Sequence, residues 1–308
     1  MMKYSDELLI FKIIAYNNYL EKDSLFSLLN INSDIHDLKK YLIENVILKN
    51  SDALKFCNNK DFQKRILNLA NNDKNKIYIK FNKKYSKIVY DLDILELSSI
   101  YKCSLDLSYS TINNVSKLKY IYKLSLVCCK SIEDVSELCN LYELDLSYCD
   151  NIKDVSKLGN IHKLTLHNCR NIKDFSQLWN VYDLDLSGCN IKNLSQDLNV
   201  NTLNLSCCNK IKNRDLIYLV NVTNLDLSGC IKITDVSLLA NIKKLDLSCC
   251  YGINDVSNLG NLNNLNLSSC FSITDVSNLG NLDTLNLSCC YGITDFSNLK
   301  NVKNLELP

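Results

Sequence analysis

Glycine is scarce in this chain, 7 in 308 residues, and no stretch reads as a Gly-rich phosphate loop. Histidine is scarcer still, with 3, and neither H-E-x-x-H nor G-x-S-x-G occurs. The pair Cys57 and His36 lies in a segment that reads as helical, where a lone Cys and a lone His are packing and surface. These absences exclude the common catalytic classes, and we expect no enzyme, no cofactor and no metal centre. Net charge is +1, which removes any global attraction to nucleic acid or to an anionic membrane. No apolar run approaches the roughly 20 residues that span a bilayer. Asp6 and Glu7 stand where a secretory leader would be cationic or apolar, so the expected setting is the cytoplasm, with its 16 Cys reduced.

What the chain has in abundance is one phrase, repeated. From Leu105/Leu107 to Leu305/Leu307 a Leu-x-Leu pair recurs at steps of 19 to 22 residues, mostly 20. A fixed short period is the mark of a solenoid, in which each unit buries its apolar side only against its neighbours. In one unit Leu262, Leu265, Leu267, Cys270, Ile273, Val276 and Leu279 alternate through the Leu-x-Leu and then spread to a spacing of three. This pattern predicts a short strand, a corner, and a return path of tight turns or a single helical turn opening at Ser, Thr or Asp. One residue is missing near Asn199 and two are added in Lys212–Leu219, where a fuller helical turn is expected.

The phrase L-x-x-L-x-L-x-x-C-x-x-I resembles a leucine-rich repeat with Cys where many relatives carry Asn, over about two thirds of the chain. The resemblance implies an α/β solenoid, a leucine-rich repeat horseshoe with a parallel concave sheet and a small N-terminal helical domain. We divide the chain into residues 1–75, helical; 76–104, an entering strand and a degenerate repeat; and 105–308, the repeats. Residues 1–75 carry Leu38, Leu42, Ile43 and Val46 at helical spacing. Their first part resembles an F-box, with Leu8, Leu9, Ile13, Leu25 and Leu28 as the contact residues this implies, although the usual Leu-Pro opening is absent. The other reading of that segment is a helical cap on the solenoid. Arg is confined to Arg65, Arg170 and Arg214, Pro to Pro308, while Asn, Ile and Lys abound. That AT-rich usage, with the near-identical repeats, is similar to leucine-rich repeat families of large DNA viruses, insect poxviruses among them.

Three columns follow from the period. Cys129, Cys149, Cys169, Cys189, Cys208, Cys230, Cys250, Cys270 and Cys290 are expected inside, each thiol a weak donor to the carbonyls of the turn. Asn140 and its equivalents through Asn301 are expected at the corners, where Asn tolerates left-handed backbone. Asp106, Asp145, Asp185, Asp226 and Asp246, between the two Leu, face the concave side, with Tyr109 and Tyr148 supplying aromatic area. These seven are the candidate protein-binding residues. Asp226 and Asp246 fall on adjacent strands, where like charges repel unless a basic partner or Lys244 relieves them. The Lys and aromatic residues of 74–87 read as an entering strand with a solvated face rather than as a nucleic-acid site. The expected function is a protein–protein interaction scaffold, acting through the concave face or the open C-terminal end. The alternative is an F-box-like receptor that joins a captured protein to a ubiquitin-ligase adaptor.

Overall fold

The computed structural model describes residues 46–308 apart from 71–72, 92–97, 193 and 195–197. The F-box-like positions Leu8, Leu9, Ile13, Leu25 and Leu28 lie outside the described residues. The chain divides into two compact units, Met1–Leu105 and Asp106–Pro308.

In the first unit, strand β1 (Val46–Lys49) leads into helices α1 (Asn50–Asn58) and α2 (Lys60–Leu69), then strand β2 (Ile77–Lys80), helix α3 (Lys83–Asp91) and strand β3 (Lys102–Asp106). The three strands are parallel, with β2 between the others: Val46 pairs with Ile77, and Tyr78 with Lys102. Val46, placed on a helical face by its spacing, is in a strand. The four residues VILK alternate buried and exposed, and a period of two over so short a run is read as helix only if the preceding apolar residues are counted with it. Ile77 and Ile79 of β2 are buried and Lys80 is exposed. Phe56 of α1 and Phe62 and Ile66 of α2 fill the core, Phe56 meeting Tyr101 edge to face at 5.1 Å. Asn59 caps α2 by accepting the Phe62 N–H at 2.9 Å.

The second unit is a leucine-rich repeat solenoid. Its strands are three residues each and parallel, stacked in chain order: β4 (Lys123–Ser125), β5 (Glu143–Asp145), β6 (Lys163–Thr165), β7 (Asp183–Asp185) and β8 (Thr202–Asn204). They continue with β9 (Asn224–Asp226), β10 (Lys244–Asp246), β11 (Asn264–Asn266), β12 (Thr284–Asn286) and β13 (Asn304–Glu306). The pairing runs Leu to Leu, for example Leu245 with Leu265 and Leu265 with Leu285, and the sheet remains open. The seven apolar positions of the repeat Leu262–Leu279 are each at most 3 % exposed. Burying a side chain of the size of Leu267 is worth about 1.5–3 kcal/mol, and here every such residue rests on its counterparts above and below.

Most return paths carry a single 3-10 turn, such as Ser136–Leu138 and Ser277–Leu279, both introduced by an Asp. Asp134 accepts the Ser136 N–H at 2.9 Å and Asp275 the Ser277 N–H at 2.8 Å, an Asx turn that starts the helical turn with a satisfied donor. These bonds hold the carboxyls of Asp134 and Asp275 below the usual range. Where two residues are added, Asn213–Tyr218 forms a six-residue 3-10 helix, as their insertion predicts. Asn213 reaches the next repeat, accepting the Thr234 N–H at 2.9 Å.

The left-handed residues are not the Asn column. In the second unit they are Tyr109, Cys128, Tyr148, Asn168, Cys207, Cys249, Ser269 and Cys289, with φ between 57° and 62°, joined by Gly188 and Gly229 at 67°. Each precedes a buried position of the Cys column or its Ser110 equivalent. The reason is the sharp turn after the strand. The N–H of Cys249 must still reach the Ser268 carbonyl of the next repeat, at 2.9 Å, while the N–H of Cys250 folds back onto Leu247 at 3.1 Å.

Candidate functional site: the concave sheet and its rims

A three-residue strand with Leu at its centre turns the residues on either side of that Leu away from the core. The concave face therefore consists of two columns. The first begins Lys123, Glu143, Lys163, Asp183 and alternates in sign through directly paired positions. Lys123 pairs with Glu143, and Lys163 with Asp183 at 2.8 Å. Beyond Asp183 the column becomes Thr202, Asn224, Lys244 and Asn264.

The second column holds most of the predicted acids. Asp145 and Asp185 are separated by Thr165, and Asp185 and Asp226 by Asn204, but Asp226 and Asp246 are direct partners across β9 and β10. Each member also works for its own turn. Asp106, Asp145, Asp185, Asp226 and Asp246 accept the N–H of the Ser two residues on, at 2.8 to 3.0 Å, and Asn204, Asn266 and Asn286 do the same. Since Asn serves as well, the negative charge is not needed for the turn.

The Asp226 carboxyl is pushed up, first by its burial and then by Asp246 and Asp185, against the lowering effect of its bonds from Ser228. Asp246 also accepts the Ser248 hydroxyl at 2.6 Å and, from the next strand, the Asn266 amide at 2.8 Å. Lys244 forms no ion pair with either Asp among the described residues. A groove of about 970 Å3 runs along this half of the face, from Lys163 and Asp185 to Asn286 and Glu306.

Two rims flank the sheet. At the rim where strands begin, Tyr122, Tyr142, His162 and Tyr182 form a continuous stack: centroids lie 4.7, 4.6 and 4.7 Å apart, with planes within 21°. The sequence contains the signal, a ring before each of four successive x-Leu-x triplets, 20 residues apart, but a search for chemistry in the interior columns passes over it. At the opposite rim sit Tyr109 and Tyr148, exposed on left-handed backbone rather than between the Leu pair. Tyr148 meets His167 edge to face at 4.9 Å. His167 Nε2 lies 2.9 Å from the Tyr148 hydroxyl and 2.7 Å from the Asn168 amide nitrogen, and its Nδ1 lies 2.5 Å from Ser187 Oγ. With the Asn168 amide donating, Nε2 is the acceptor and Nδ1 carries the proton to Ser187.

The Cys column lies inside, and its thiols do what the sequence predicts. Cys149 Sγ donates to Leu126 O at 3.1 Å, Cys189 to Leu166 O at 3.1 Å, Cys270 to Leu247 O at 3.1 Å and Cys290 to Leu267 O at 3.0 Å. Burial pushes the Cys149, Cys189 and Cys270 thiols up to about 12. Among the described residues no group of three His, Cys, Asp or Glu is placed to hold a metal ion, and no helix is long and apolar enough to cross a membrane.

No protein-family model matches the chain. No curated protein aligns with it significantly. Among solved structures, an internalin of Listeria monocytogenes, InlF, superposes with a TM-score of 0.50 at 18% identity, over 76% of this chain and 80% of that one. The functional domain of InlJ from the same organism, described as including a cysteine ladder, gives 0.42 at 20% identity, over 68% of this chain and 58% of that one. Internalin C2, also from Listeria monocytogenes, gives 0.34 at 23% identity, over 67% and 80%. What the chain shares with InlF is the leucine-rich repeat fold.

Proposed function

We propose that the chain is a non-enzymatic scaffold that binds a protein partner on the concave sheet, and that the partner offers a basic segment to the groove between Asp185 and Asp246. One observation carries this reading. Asp226 and Asp246 are paired directly across adjacent strands, with Asp185 near enough to raise the Asp226 carboxyl further. Asn fills the same turn-capping role at positions 204, 266 and 286, so folding alone gives no reason for acids there. A cationic side chain between the two carboxylates would relieve their repulsion and gain charge-assisted hydrogen bonds. The stack at the rim adds rigid aromatic edges, with Tyr142 and Tyr182 exposed, of the kind that anchors interfaces. The absence of any disulfide among the described cysteines, with Cys207 exposed, suits a reducing compartment.

The test is the affinity of the full chain for a Lys- and Arg-rich extended peptide, read by fluorescence anisotropy at several salt concentrations. Changing Asp185, Asp226 and Asp246 together to Asn keeps every cap. Binding that persists unchanged in this variant rejects the reading.

A second reading concerns residues 1–75 and rests on their F-box-like sequence. If it holds, the full chain binds a purified ubiquitin-ligase adaptor, and Leu8→Ala with Leu9→Ala abolishes that binding. If the adaptor does not bind, the segment is better read as a cap.

A further inference from the structure

On the rim where strands end, the residue after each buried Cys changes character along the solenoid. In the earlier repeats it is Lys130, Asp150 and Arg170; in four consecutive later ones it is Ile231, Tyr251, Phe271 and Tyr291. These four are 52, 46, 54 and 73 % exposed, although each is large and apolar. Tyr251 and Phe271 stack with planes 2° apart and centroids 5.4 Å apart. Isolated exposed apolar residues are ordinary, but four at equivalent positions of successive repeats call for an explanation by recognition. Beside the later three, Gly252, Ser272 and Gly292 carry no charge, while Lys232 beside Ile231 is cationic and exposed, so the neutral border runs along Tyr251, Phe271 and Tyr291.

A second row keeps step with it. Asp235, Asp255, Asp275 and Asp295 lie four residues further on in the same repeats, at most about 14 Å along the chain. All four are exposed, and each accepts the N–H of a following Ser with one oxygen, Oδ1. They are close enough for Asp255 and Asp295 each to act on Asp275.

We propose that this paired row is a docking surface for an amphipathic helix with a basic flank, supplied by a partner protein and separate from the concave groove. The spacing selects the helix. Stacked repeats advance about 4.8 Å, and the rings are 5.4 Å apart, which matches the helical pitch of about 5.4 Å. An extended strand places same-side residues about 6.6 Å apart and falls out of step after two repeats. Four repeats span about 15 Å, so side chains at i, i+4, i+7 and i+11 of one helix meet all four. Charge complementarity selects the flank: Lys or Arg beside the apolar ridge faces the Asp row. The row's width argues against a second copy of this chain. It is one side chain wide, far short of the roughly 1,200–2,000 Å2 that a stable pair of folded subunits buries.

The experiment uses the full chain and a fluorescein-labelled peptide of about 14 residues, with Leu at i, i+4, i+7 and i+11 and Lys along one side. A control of the same composition carries its Leu in strict alternation. The helical-phase peptide is expected to bind at least about tenfold tighter than the control, and Tyr251→Asn with Phe271→Asn to remove about tenfold or more of that binding. Asp255→Asn with Asp275→Asn, which keeps both Ser caps, is expected to weaken binding less and to flatten its salt dependence. The Asp185, Asp226 and Asp246 variant is expected to bind this peptide as the parent does, which separates this surface from the concave one. Circular dichroism verifies that the surface variants are folded. Equal binding of the two peptides, or full binding by the Tyr251/Phe271 variant, overturns the proposal. So does a dimer in sedimentation velocity that this variant dissolves, since the row is then a contact between copies of the chain.

Discussion

Asp226 and Asp246 face each other across two parallel strands, and partial burial together with the charges of Asp246 and Asp185 pushes the Asp226 carboxyl up. A carboxylate with a raised folded-state pKa binds its proton more tightly folded than unfolded. Its stabilising contribution is full below the unfolded value of about 3.9 and is lost as pH rises through the folded value. At neutral pH the ionised Asp226 is therefore a cost. Asp226→Asn is expected to raise stability at pH 7 by on the order of 0.5 kcal/mol, with the gain vanishing as pH falls below about 4. Urea midpoints of both proteins across that range check it; a loss of stability at pH 7 would show that the carboxylate itself is needed.

The left-handed column makes a prediction of opposite sign at two neighbouring repeats. Cys249 carries a φ of 58° that glycine adopts freely, so Cys249→Gly is expected to stabilise by about 0.5 kcal/mol after glycine's own entropy cost. Gly229 has the same role with φ 67°, and an added Cβ would lie 3.2 Å from Cys207 Sγ. Gly229→Ala is expected to cost about 1 kcal/mol. Both are read from thermal midpoints.

Thiol labelling separates the two kinds of cysteine. Cys207 is exposed and should react first, followed by the half-buried Cys128, Cys249 and Cys289. Cys149, Cys189 and Cys270, buried and pushed up to about 12, should stay unmodified at pH 8 until the solenoid unfolds. Mass spectrometry of timed alkylation gives the order; early reaction at Cys270 would contradict the burial of the column.

The aromatic stack predicts coupling across repeats. Tyr142 sits between Tyr122 and His162, so its removal breaks two ring contacts at once. Tyr142→Ala and His162→Ala should be non-additive, with an interaction energy of about 0.5–1.5 kcal/mol in a double-mutant cycle. Additive losses would mean that the rings only lie near one another.

Much of this is legible in the residues alone, because a repeat states its own geometry many times. The Leu-x-Leu strands, the buried Cys129 to Cys290 and the Asp column could each be placed by counting 20 residues. Besides Val46, two features of the repeats escaped for identifiable reasons. Left-handed backbone was expected at Asn140 and its equivalents from the side-chain preference of Asn, yet the turn demands it next to the Cys, where Tyr148 and Cys207 bear the strain. Steric cost in the left-handed region is about 1–2 kcal/mol, which the inter-repeat hydrogen bonds can override. The rows at Tyr122–Tyr182 and Ile231–Tyr291 vary between halves of the array, so a search for what stays constant missed what changes.

The thiol ladder has a direction. The donor that closes the turn at Leu126 is Cys149, at Leu146 it is Cys169, and at Leu247 it is Cys270, each 23 residues later in the chain. No turn in this series is complete until the following repeat exists. During synthesis from the N-terminus, a repeat such as the one at Leu126 leaves the ribosome with the N–H groups of Leu126 and Cys128 and one lone pair of the Leu126 carbonyl still waiting, and these are met only by Asp145, Ser147 and Cys149 of its successor. Assembly proceeds as a zipper whose finished part trails the growing end by one repeat.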